Sequence, residues 1–295
     1  MRVLILGATG LLGRVLVSHE QWGNAQVIGV GSRDGDIANS SEVQRLFTAV
    51  RPDITILSAA YTDVDGCEQN PQKAYAVNCA GAVNVAIAAR EGGSRLLFLS
   101  TDYVFDGLKN APYEAYDAIC PINVYGRAKA EAEKQVEAAL PLTCIVRTSW
   151  LFGSPGRCFP NTILEIAQSR STISVVDDQF GCPTFTRDLA GTIVRLAQMG
   201  ATGIIHATNS GVCSWFEFAS EIVHIAGLDH VTVKPASTED VLRPAKRPKH
   251  SALSATSLRQ HGLSMRPWKE TLAEFLSDRR EFLKLGSMAA LGAQQ

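Results

Sequence analysis

The feature that most constrains the fold is a glycine-rich turn close to the N-terminus. The apolar run Val3–Leu6 predicts a buried strand. Three glycines follow it at three-residue spacing, Gly7, Gly10 and Gly13, and a helical pattern covers Leu11–Glu20. Such a turn is typical of a dinucleotide site, because glycines let the backbone approach a pyrophosphate and the helix N-terminus offers free N–H groups. The alternative is a glycine-rich turn without a ligand, and the regular pattern behind it favours the dinucleotide.

Behind this turn, the first half of the chain alternates short apolar runs with helical patterns. This alternation predicts βαβ units around a parallel sheet. The predicted strands are Val3–Leu6, Val27–Val30, Ile54–Leu57, Leu96–Leu99 and Thr143–Val146. The predicted helices are Leu11–Glu20, Ser40–Val50, Asn70–Glu91 and Asn123–Ala139. We therefore expect an α/β fold with a Rossmann-type doubly wound parallel sheet over residues 1–150, which would bind NADP(H).

The pattern becomes less regular beyond Trp150. The predicted helices there are Pro160–Ser169, Thr186–Met199 and Trp215–Ala226. The predicted short strands are Ile173–Val176, Ile204–Ala207 and Val231–Val233. We expect a smaller C-terminal α/β lobe over residues 151–285 that holds the substrate, followed by a tail at 286–295. Whether the chain crosses between the two parts stays open.

The composition excludes several classes of protein. Of the 295 residues, 46% are hydrophobic, and 28 Lys+Arg balance 29 Asp+Glu. This excludes a disordered chain and gives no electrostatic reason to expect a nucleic-acid partner. No apolar run approaches the roughly 20 residues that span a bilayer. The 7 cysteines show no CxxC spacing and the N-terminus has no signal-peptide pattern, so we expect a reduced, cytoplasmic protein.

The end of the second predicted strand bears on which dinucleotide is bound. An NAD site usually carries an acidic residue there, and this chain has Gly31, Ser32 and Arg33. The Arg33 guanidinium could pair with a 2′-phosphate, which favours NADPH, with NADH still open. The alternative for Arg33 is a solvated loop arginine. Asp36 and Ile37 are expected near the adenine.

Three polar side chains are candidates for the chemistry. Tyr125 and Lys129 lie four residues apart at the start of a predicted helix, so both can face one site. A neighbouring ammonium is expected to lower the pKa of the phenol and suit it to acid–base work. Thr101 follows the fourth predicted strand, where its hydroxyl could polarise a carbonyl group. Asn78 could hold a backbone group nearby, or simply lie on a solvated helix face.

Five further segments carry specific motifs. They are Ala59–Asp65, Ser100–Gly107, Pro121–Lys129, Arg147–Trp150 and Asp178–Thr184. Their sequences are AAYTDVD, STDYVFDG, PINVYGRAK, RTSW and DQFGCPT. Each is modest alone, but their order and spacing together are specific. Over nearly the whole chain they resemble the dTDP-4-dehydrorhamnose reductases, a family among the extended short-chain dehydrogenases/reductases.

The resemblance implies an enzyme that reduces the C4 keto group of dTDP-4-dehydro-6-deoxy-L-mannose to give dTDP-L-rhamnose. NADPH would give the hydride and Tyr125 the proton, while Lys129 would tune Tyr125 and bind the nicotinamide ribose. Thr101 would bond the carbonyl oxygen. The other implied substrate contacts are Asp102, Trp150 and Arg247. The implied cofactor contacts are Gly7, Gly10, Leu11, Leu12, Gly13, Arg33, Asp36, Ile37, Ala59, Ala60, Tyr61, Tyr125 and Lys129.

Other interpretations stay open at this point. One is another enzyme of the extended family, a nucleotide-sugar epimerase or dehydratase. The other is a non-catalytic NADP-binding regulatory subunit similar to the β subunit of methionine adenosyltransferase. Trp150 could also be a core aromatic, and Arg247 part of a plain solvated loop.

Some relatives are described as bridging dimers through metal-binding glutamates. At the matching places this chain has Val15 and Arg187, so we expect no metal and either a monomer or a homodimer. The C-terminal pair Arg279-Arg280 and the apolar run after it resemble a twin-arginine export signal. Such signals act at the N-terminus, so we expect a fraying amphipathic helix rather than export.

Overall fold

The computed structural model describes residues 1–279 of the chain. Its strands are β1 (Arg2–Leu6), β2 (Gln26–Val30), β3 (Ile54–Leu57), β4 (Arg95–Thr101), β5 (Cys144–Thr148), β6 (Leu151–Phe152), β7 (Thr172–Val176), β8 (Phe180–Gly181), β9 (Thr184–Phe185), β10 (Gly203–His206), β11 (Cys213–Ser214) and β12 (Thr232–Ala236). Its helices are α1 (Leu11–Val17), α2 (Ser40–Val50), α3 (Val64–Gln69), α4 (Pro71–Tyr75), α5 (Gly81–Gly92), α6 (Val124–Ala139), α7 (Phe159–Ala167), α8 (Thr186–Met199), α9 (Trp215–Ala226) and α10 (Thr256–Arg259), and residues 268–279 are also helical.

Six parallel strands form the main sheet, in the order β10-β5-β4-β3-β1-β2. Strands β1 and β3 are mostly apolar and almost fully buried, as expected where helices cover both faces of a parallel sheet. One face packs against α1 and α8, and the other against α2, α5 and α6. The prediction of a doubly wound parallel sheet is confirmed.

One predicted strand lies in a different sheet from the one expected. The sequence pattern assigned Ile204–Ala207 to the C-terminal lobe. The structure places β10 at the edge of the main sheet, where it pairs in parallel with β5, and α8 packs on α1. The chain therefore returns to the first part after residue 150, since β5 leaves a free edge that an apolar strand can extend. The division at residues 150 and 151 stays a prediction.

A second core lies in the C-terminal part of the chain. It joins α7, α9 and the helix at 268–279 to the parallel pair formed by β7 and β12. Phe152 is fully buried in it, with its ring centroid 5.6 Å from that of Phe218 and 5.7 Å from that of Phe275. This packing holds together the segments that follow β5.

The long helix predicted at Asn70–Glu91 is interrupted by one wide turn. Asn70 caps α4 by accepting a hydrogen bond from the N–H of Lys73, and Pro71 follows as its first residue. Residues Ala76–Ala80 then form a π-helical turn before α5 continues to Gly92. Such wide turns occur often at functional sites, and this one contains Asn78.

Two remaining sequence predictions concern membranes and the C-terminus. Within residues 1–279, every helix is too short or too polar to cross a bilayer. The predicted tail at 286–295 and most of the segment that resembles an export signal lie outside the described residues.

Candidate active site

A cleft of about 660 Å³ opens at the carboxyl ends of the main-sheet strands. This is the edge where open α/β sheets bind their ligands. Most of the residues predicted to bind or react line it together: Gly7, Gly10, Leu11, Leu12, Gly13, Asp36, Ile37, Ala59, Ala60, Thr101, Asp102, Tyr125, Lys129 and Trp150. The fold therefore collects in one place residues that lie up to 143 positions apart in the sequence, from Gly7 to Trp150.

The glycine-rich turn forms one end of the cleft. Gly7 has a φ of +92°, and a Cβ on it would lie 2.5 Å from the backbone nitrogen of Ala59. A Cβ on Gly13 would lie 2.0 Å from the carbonyl oxygen of Gly7. Gly10 precedes α1, and no side chain of the described residues caps that helix. The turn thus leaves backbone N–H groups facing a cavity, which fits the pyrophosphate of a dinucleotide.

A loop after β3 forms the wall next to the glycines. Asn78 is buried and its side chain bonds both backbone groups of Tyr61: Oδ1 accepts from the N–H at 2.7 Å and Nδ2 donates to the carbonyl at 2.9 Å. Asn78 therefore fixes the backbone of the loop that is predicted to bind the cofactor. Ala59 and Ala60 of this loop line the cleft, while the Tyr61 ring packs under the ammonium of Lys73, 4.4 Å from its centroid.

Two predicted ligand-binding arginines do not line the cleft. Arg33 is exposed. The guanidinium of Arg247 pairs with the carboxylate of Asp65, at 2.5 Å from Nη1 to Oδ1 and 3.0 Å from Nη2 to Oδ2. Burial opposes the effect, but these hydrogen bonds hold the pKa of Asp65 below its usual value. Arg247 thus ties the segment after residue 240 to α3.

The catalytic candidates lie at the opposite end. Asn123 caps α6 by accepting a hydrogen bond from the N–H of Gly126, which fixes the turn that carries Tyr125. The Tyr125 phenol lies beside the hydroxyl of Thr101. Burial raises the pKa of Tyr125 above its ordinary value. The phenol therefore keeps its proton at neutral pH, as a proton donor must.

Lys129 does not act on Tyr125 as the sequence predicted. Its Nζ donates to the carbonyl of Leu99 at 2.6 Å and lies 3.9 Å from the ring centroid of Phe98. Burial lowers the pKa of this ammonium to about 7. The expected lowering of the Tyr125 pKa is therefore wrong for this structure, because desolvation of the phenol outweighs any effect of the ammonium, whose nitrogen turns toward strand β4.

Asp102 is the most buried acid of the cleft, with 2% of its surface exposed. Its Oδ1 accepts from the hydroxyl of Thr101 at 3.0 Å, and its Oδ2 accepts from the hydroxyl of Ser251 at 2.5 Å. Burial raises the pKa of this carboxyl to about 7, against the hydrogen bonds that favour its ionised form. No signal in the sequence singled out Ser251, since it lies 149 positions from Asp102.

Two tryptophans form a platform at the substrate side. The rings of Trp150 and Trp215 stack with centroids 3.5 Å apart and planes 8° apart, and both line the cleft. Trp150 has a φ of +47°, and Gly181 lies so close that a Cβ there would be 2.4 Å from its ring. The sequence singled out Trp150 and missed Trp215. Trp150 is therefore both a packed aromatic and part of the cleft wall.

A buried ion pair lies beneath the catalytic residues. The Arg147 Nη2 is 2.7 Å from Glu133 Oε2 and its Nε is 3.0 Å from Oε1, while the hydroxyl of Ser100 also donates to Glu133. Glu133 follows Lys129 by one helical turn on α6. This pair joins α6 to β5 under the site, a role for Arg147 that its motif did not predict.

Metal ligation was predicted to be absent. Among residues 1–279, no group of three or more His, Cys, Asp or Glu side chains could hold a metal ion. Arg187 stands where some relatives are described as having a metal-binding glutamate. Its guanidinium pairs with Glu274 at 2.5 Å and with Asp278 at 2.7 Å.

Comparisons with known proteins agree with this geometry. A family model described as the RmlD substrate binding domain matches residues 1–281. The chain is 38% identical over 283 residues to the dTDP-4-dehydrorhamnose reductase of Mycobacterium tuberculosis, covering 94% of this chain and 92% of that protein. It is 36% identical over 278 residues to the spore coat polysaccharide biosynthesis protein SpsK of Bacillus subtilis, covering 94% and 98%. The solved dTDP-4-dehydrorhamnose reductase of Bacillus anthracis, in complex with NADP, is 40% identical with a TM-score of 0.91, covering 94% and 99%.

Proposed function

The chain belongs to the RmlD substrate binding domain family, and on that basis we propose that it is a dTDP-4-dehydrorhamnose reductase. It uses NADPH to reduce the C4 keto group of dTDP-4-dehydro-6-deoxy-L-mannose, giving dTDP-L-rhamnose. The observation that carries the proposal is the cleft that brings the glycine-rich turn together with Thr101, Tyr125 and Lys129. The relative of known structure that was solved with NADP supports the choice of cofactor.

The residues at the two ends of the cleft fit a dinucleotide and a carbonyl substrate. The glycine-rich turn and the N-terminus of α1 would hold the pyrophosphate, and Asp36 and Ile37 would lie beside the adenine. The buried hydroxyl of Thr148, which has no hydrogen-bond partner among the described residues, also lines the cleft and is ready to bond a ligand. The cofactor, when bound, supplies a hydride to the carbonyl carbon.

The proton comes from this chain. Tyr125 donates its phenolic proton to the C4 oxygen as negative charge develops there, and the raised pKa of the phenol ensures that the proton is present. Thr101 donates a hydrogen bond to the same oxygen and so stabilises that charge. Lys129 is fixed by its hydrogen bond to the carbonyl of Leu99 on β4. The stacked tryptophans give the sugar an apolar face.

The retained catalytic residues favour an enzyme over a regulatory subunit. A subunit that binds NADP without chemistry has no need to keep Thr101, Tyr125 and Lys129 in one cleft. An epimerase or dehydratase is expected to carry an acidic residue at the end of β2, where this chain has Gly31, Ser32 and Arg33.

The assay that tests the proposal mixes purified protein, NADPH and dTDP-4-dehydro-6-deoxy-L-mannose. We expect the near-ultraviolet absorbance of NADPH to fall and dTDP-L-rhamnose to form. Folded protein that binds NADPH but leaves its absorbance unchanged would contradict the proposal. The same assay over several keto-sugar nucleotides defines the preferred sugar.

Three narrower expectations complete the proposal. The exposed Arg33 can swing to the 2′-phosphate of NADPH, because nothing in the described residues holds its side chain in place, and NADH is the weaker cofactor. The chain acts in the cytoplasm. It acts as a monomer or a homodimer.

A further inference from the structure

A chain of buried hydrogen bonds leads from the C-terminal part of the protein to the catalytic threonine. Ser251 is 1% exposed and donates to Asp102 Oδ2 at 2.5 Å. Asp102 Oδ1 in turn faces the hydroxyl of Thr101 at 3.0 Å. Thr101 and Asp102 line the cleft, whereas Ser251 does not, so Ser251 reaches the reacting groups only through the carboxyl.

The protonation state of the Asp102 carboxyl decides whether the Thr101 hydroxyl can donate a hydrogen bond to a substrate. A threonine hydroxyl has one proton to donate and two lone pairs that accept. The N–H of Tyr103 already donates to Thr101 Oγ1 at 3.2 Å. An ionised carboxylate can only accept hydrogen bonds, so the single proton of the Thr101 hydroxyl is used in the bond to Asp102 Oδ1. In that arrangement Thr101 cannot donate to the carbonyl oxygen of a substrate.

A neutral carboxyl reverses this bond. Its Oδ1–H donates to the second lone pair of Thr101, while its Oδ2 still accepts from Ser251. The Thr101 proton is then free to point into the cleft, where it can meet the Tyr125 oxygen in the free protein and the carbonyl oxygen of a bound substrate. We propose that Asp102, held by Ser251, is a positioning residue that must carry a proton for Thr101 to donate to the C4 oxygen; this rests on the proposed function above.

The surroundings of Asp102 favour the neutral form. The titratable side chains that face it are the phenols of Tyr103 and Tyr125 and the thiol of Cys182. All three are uncharged at pH 7, since burial raises the pKa of each, that of Cys182 to about 11. His250, next to Ser251 in the sequence, is also neutral there because burial lowers its pKa.

Two charged groups stand one residue further away. Arg247 and Arg243 both lie near Tyr103, and both pair with Asp65, at 2.5 and 3.5 Å. Burial still raises the pKa of Asp102 to about 7. A carboxylic acid kept neutral in an apolar site so that it can donate a hydrogen bond is a known catalytic device.

The Asp102→Asn variant is the sharpest test. Its amide can donate to Thr101 with the NH₂ group and accept from Ser251 with the oxygen, as a neutral carboxyl does. We expect its kcat to exceed that of Asp102→Leu by about tenfold and not to fall as the pH rises through 7. Asp102→Leu keeps the volume without hydrogen bonds and is expected to lose about tenfold or more in kcat.

Ser251 offers a second, independent variant. The donor hydrogen bond from Ser251 favours the ionised carboxylate, so Ser251→Ala should raise the pKa of Asp102 and move the alkaline limb of the kcat profile up by about one pH unit. The substrate KM should not change, and Ser251→Thr should restore the wild-type limb. Ser94→Ala is the matched control, because this buried serine loses a similar bond, to Thr55 at 2.9 Å, at the far end of β4.

A readout without substrate separates this proposal from the proposed function. The infrared band of a protonated carboxyl, recorded against pH and absent from Asp102→Asn, reports the state of Asp102 directly. We expect its midpoint near pH 7 in the wild type and higher in Ser251→Ala. If the wild-type protein binds NADPH but oxidises no NADPH, the proposed function fails. The infrared titration still shows in that case whether Asp102 is protonated.

Three results would overturn the inference. The first is an Asp102→Asn enzyme as slow as Asp102→Leu. The second is a kcat profile of Asp102→Asn that still falls near pH 7. That fall would be assigned to Lys129, because burial also lowers the pKa of Lys129 to about 7. The third is a wild-type enzyme that is fully active at a pH where the infrared band shows Asp102 ionised.

Discussion

The two ends of the cleft are built in different ways. At the glycine-rich end, Gly7 and Gly13 bring two backbone segments closer than any side chain would allow. At the catalytic end, Asp102, Tyr125 and Lys129 are ionisable groups whose charged forms are disfavoured by burial. The difference indicates that the first end recognises its ligand by shape and backbone N–H groups, while the second controls the position of protons.

The largest effect is expected at the catalytic end, from Tyr125→Phe. This change removes the proton donor and keeps the ring, so kcat should fall about 10²- to 10⁴-fold while NADPH binding is kept. Steady-state rates and a fluorescence titration with NADPH measure the two effects. Tyr116→Phe, at a tyrosine that is 83% exposed, is the control. An unchanged kcat would remove Tyr125 from its role.

The ion pair beneath that end is expected to control stability. Glu133→Ala leaves the buried guanidinium of Arg147 without its partner, which costs about 3–5 kcal/mol in the free energy of unfolding. Urea unfolding of this variant and of Glu137→Ala, an exposed position on the same helix, measures the cost. Equal stabilities would mean that the pair does not hold α6 to β5.

At the glycine-rich end the expected effect is smaller and of a different kind. Gly13→Ala puts a Cβ 2.0 Å from the Gly7 carbonyl, so the turn must shift, at a cost of about 1–3 kcal/mol in stability. NADPH binding should weaken as well. Gly92→Ala is the control, because a Cβ there makes an ordinary contact at 3.7 Å. Equal NADPH affinity in the two variants would contradict a recognition by shape.

The smallest effect is expected from a change at Arg33, an exposed residue just after β2. Arg33→Ala should weaken NADPH binding about two- to fivefold and leave NADH binding nearly unchanged, because an exposed ion pair contributes little. Parallel titrations with both cofactors measure this, with Arg45→Ala as an exposed control on α2. Equal losses for both cofactors would mean that Arg33 does not meet a 2′-phosphate.

Local sequence patterns predicted the main sheet and much of the cleft, because both depend on short-range features. The apolar runs of β1 and β3 and the glycine spacing after β1 need no distant partner to be recognised. β10 was assigned to the C-terminal lobe because strand order depends on pairing across the sheet, and a short apolar run does not encode its neighbour.

The electrostatics of the site could not be read in the same way. Spacing on α6 placed Tyr125 and Lys129 on one side, but it could not show that the Lys129 nitrogen turns to the carbonyl of Leu99. Ser251 and Trp215 were missed since their contacts, with Asp102 and Trp150, join segments far apart in the sequence. Burial, which sets the pKa of each group, exists only in the folded chain.

The most direct measurement of the proposed activity follows the hydride itself. The protein is incubated with NADPH that carries deuterium at the transferred position and with dTDP-4-dehydro-6-deoxy-L-mannose, and the sugar is analysed by NMR. We predict dTDP-L-rhamnose with deuterium at C4. A folded, NADPH-binding protein that yields no deuterated sugar, or that changes the sugar without consuming NADPH, would contradict the account.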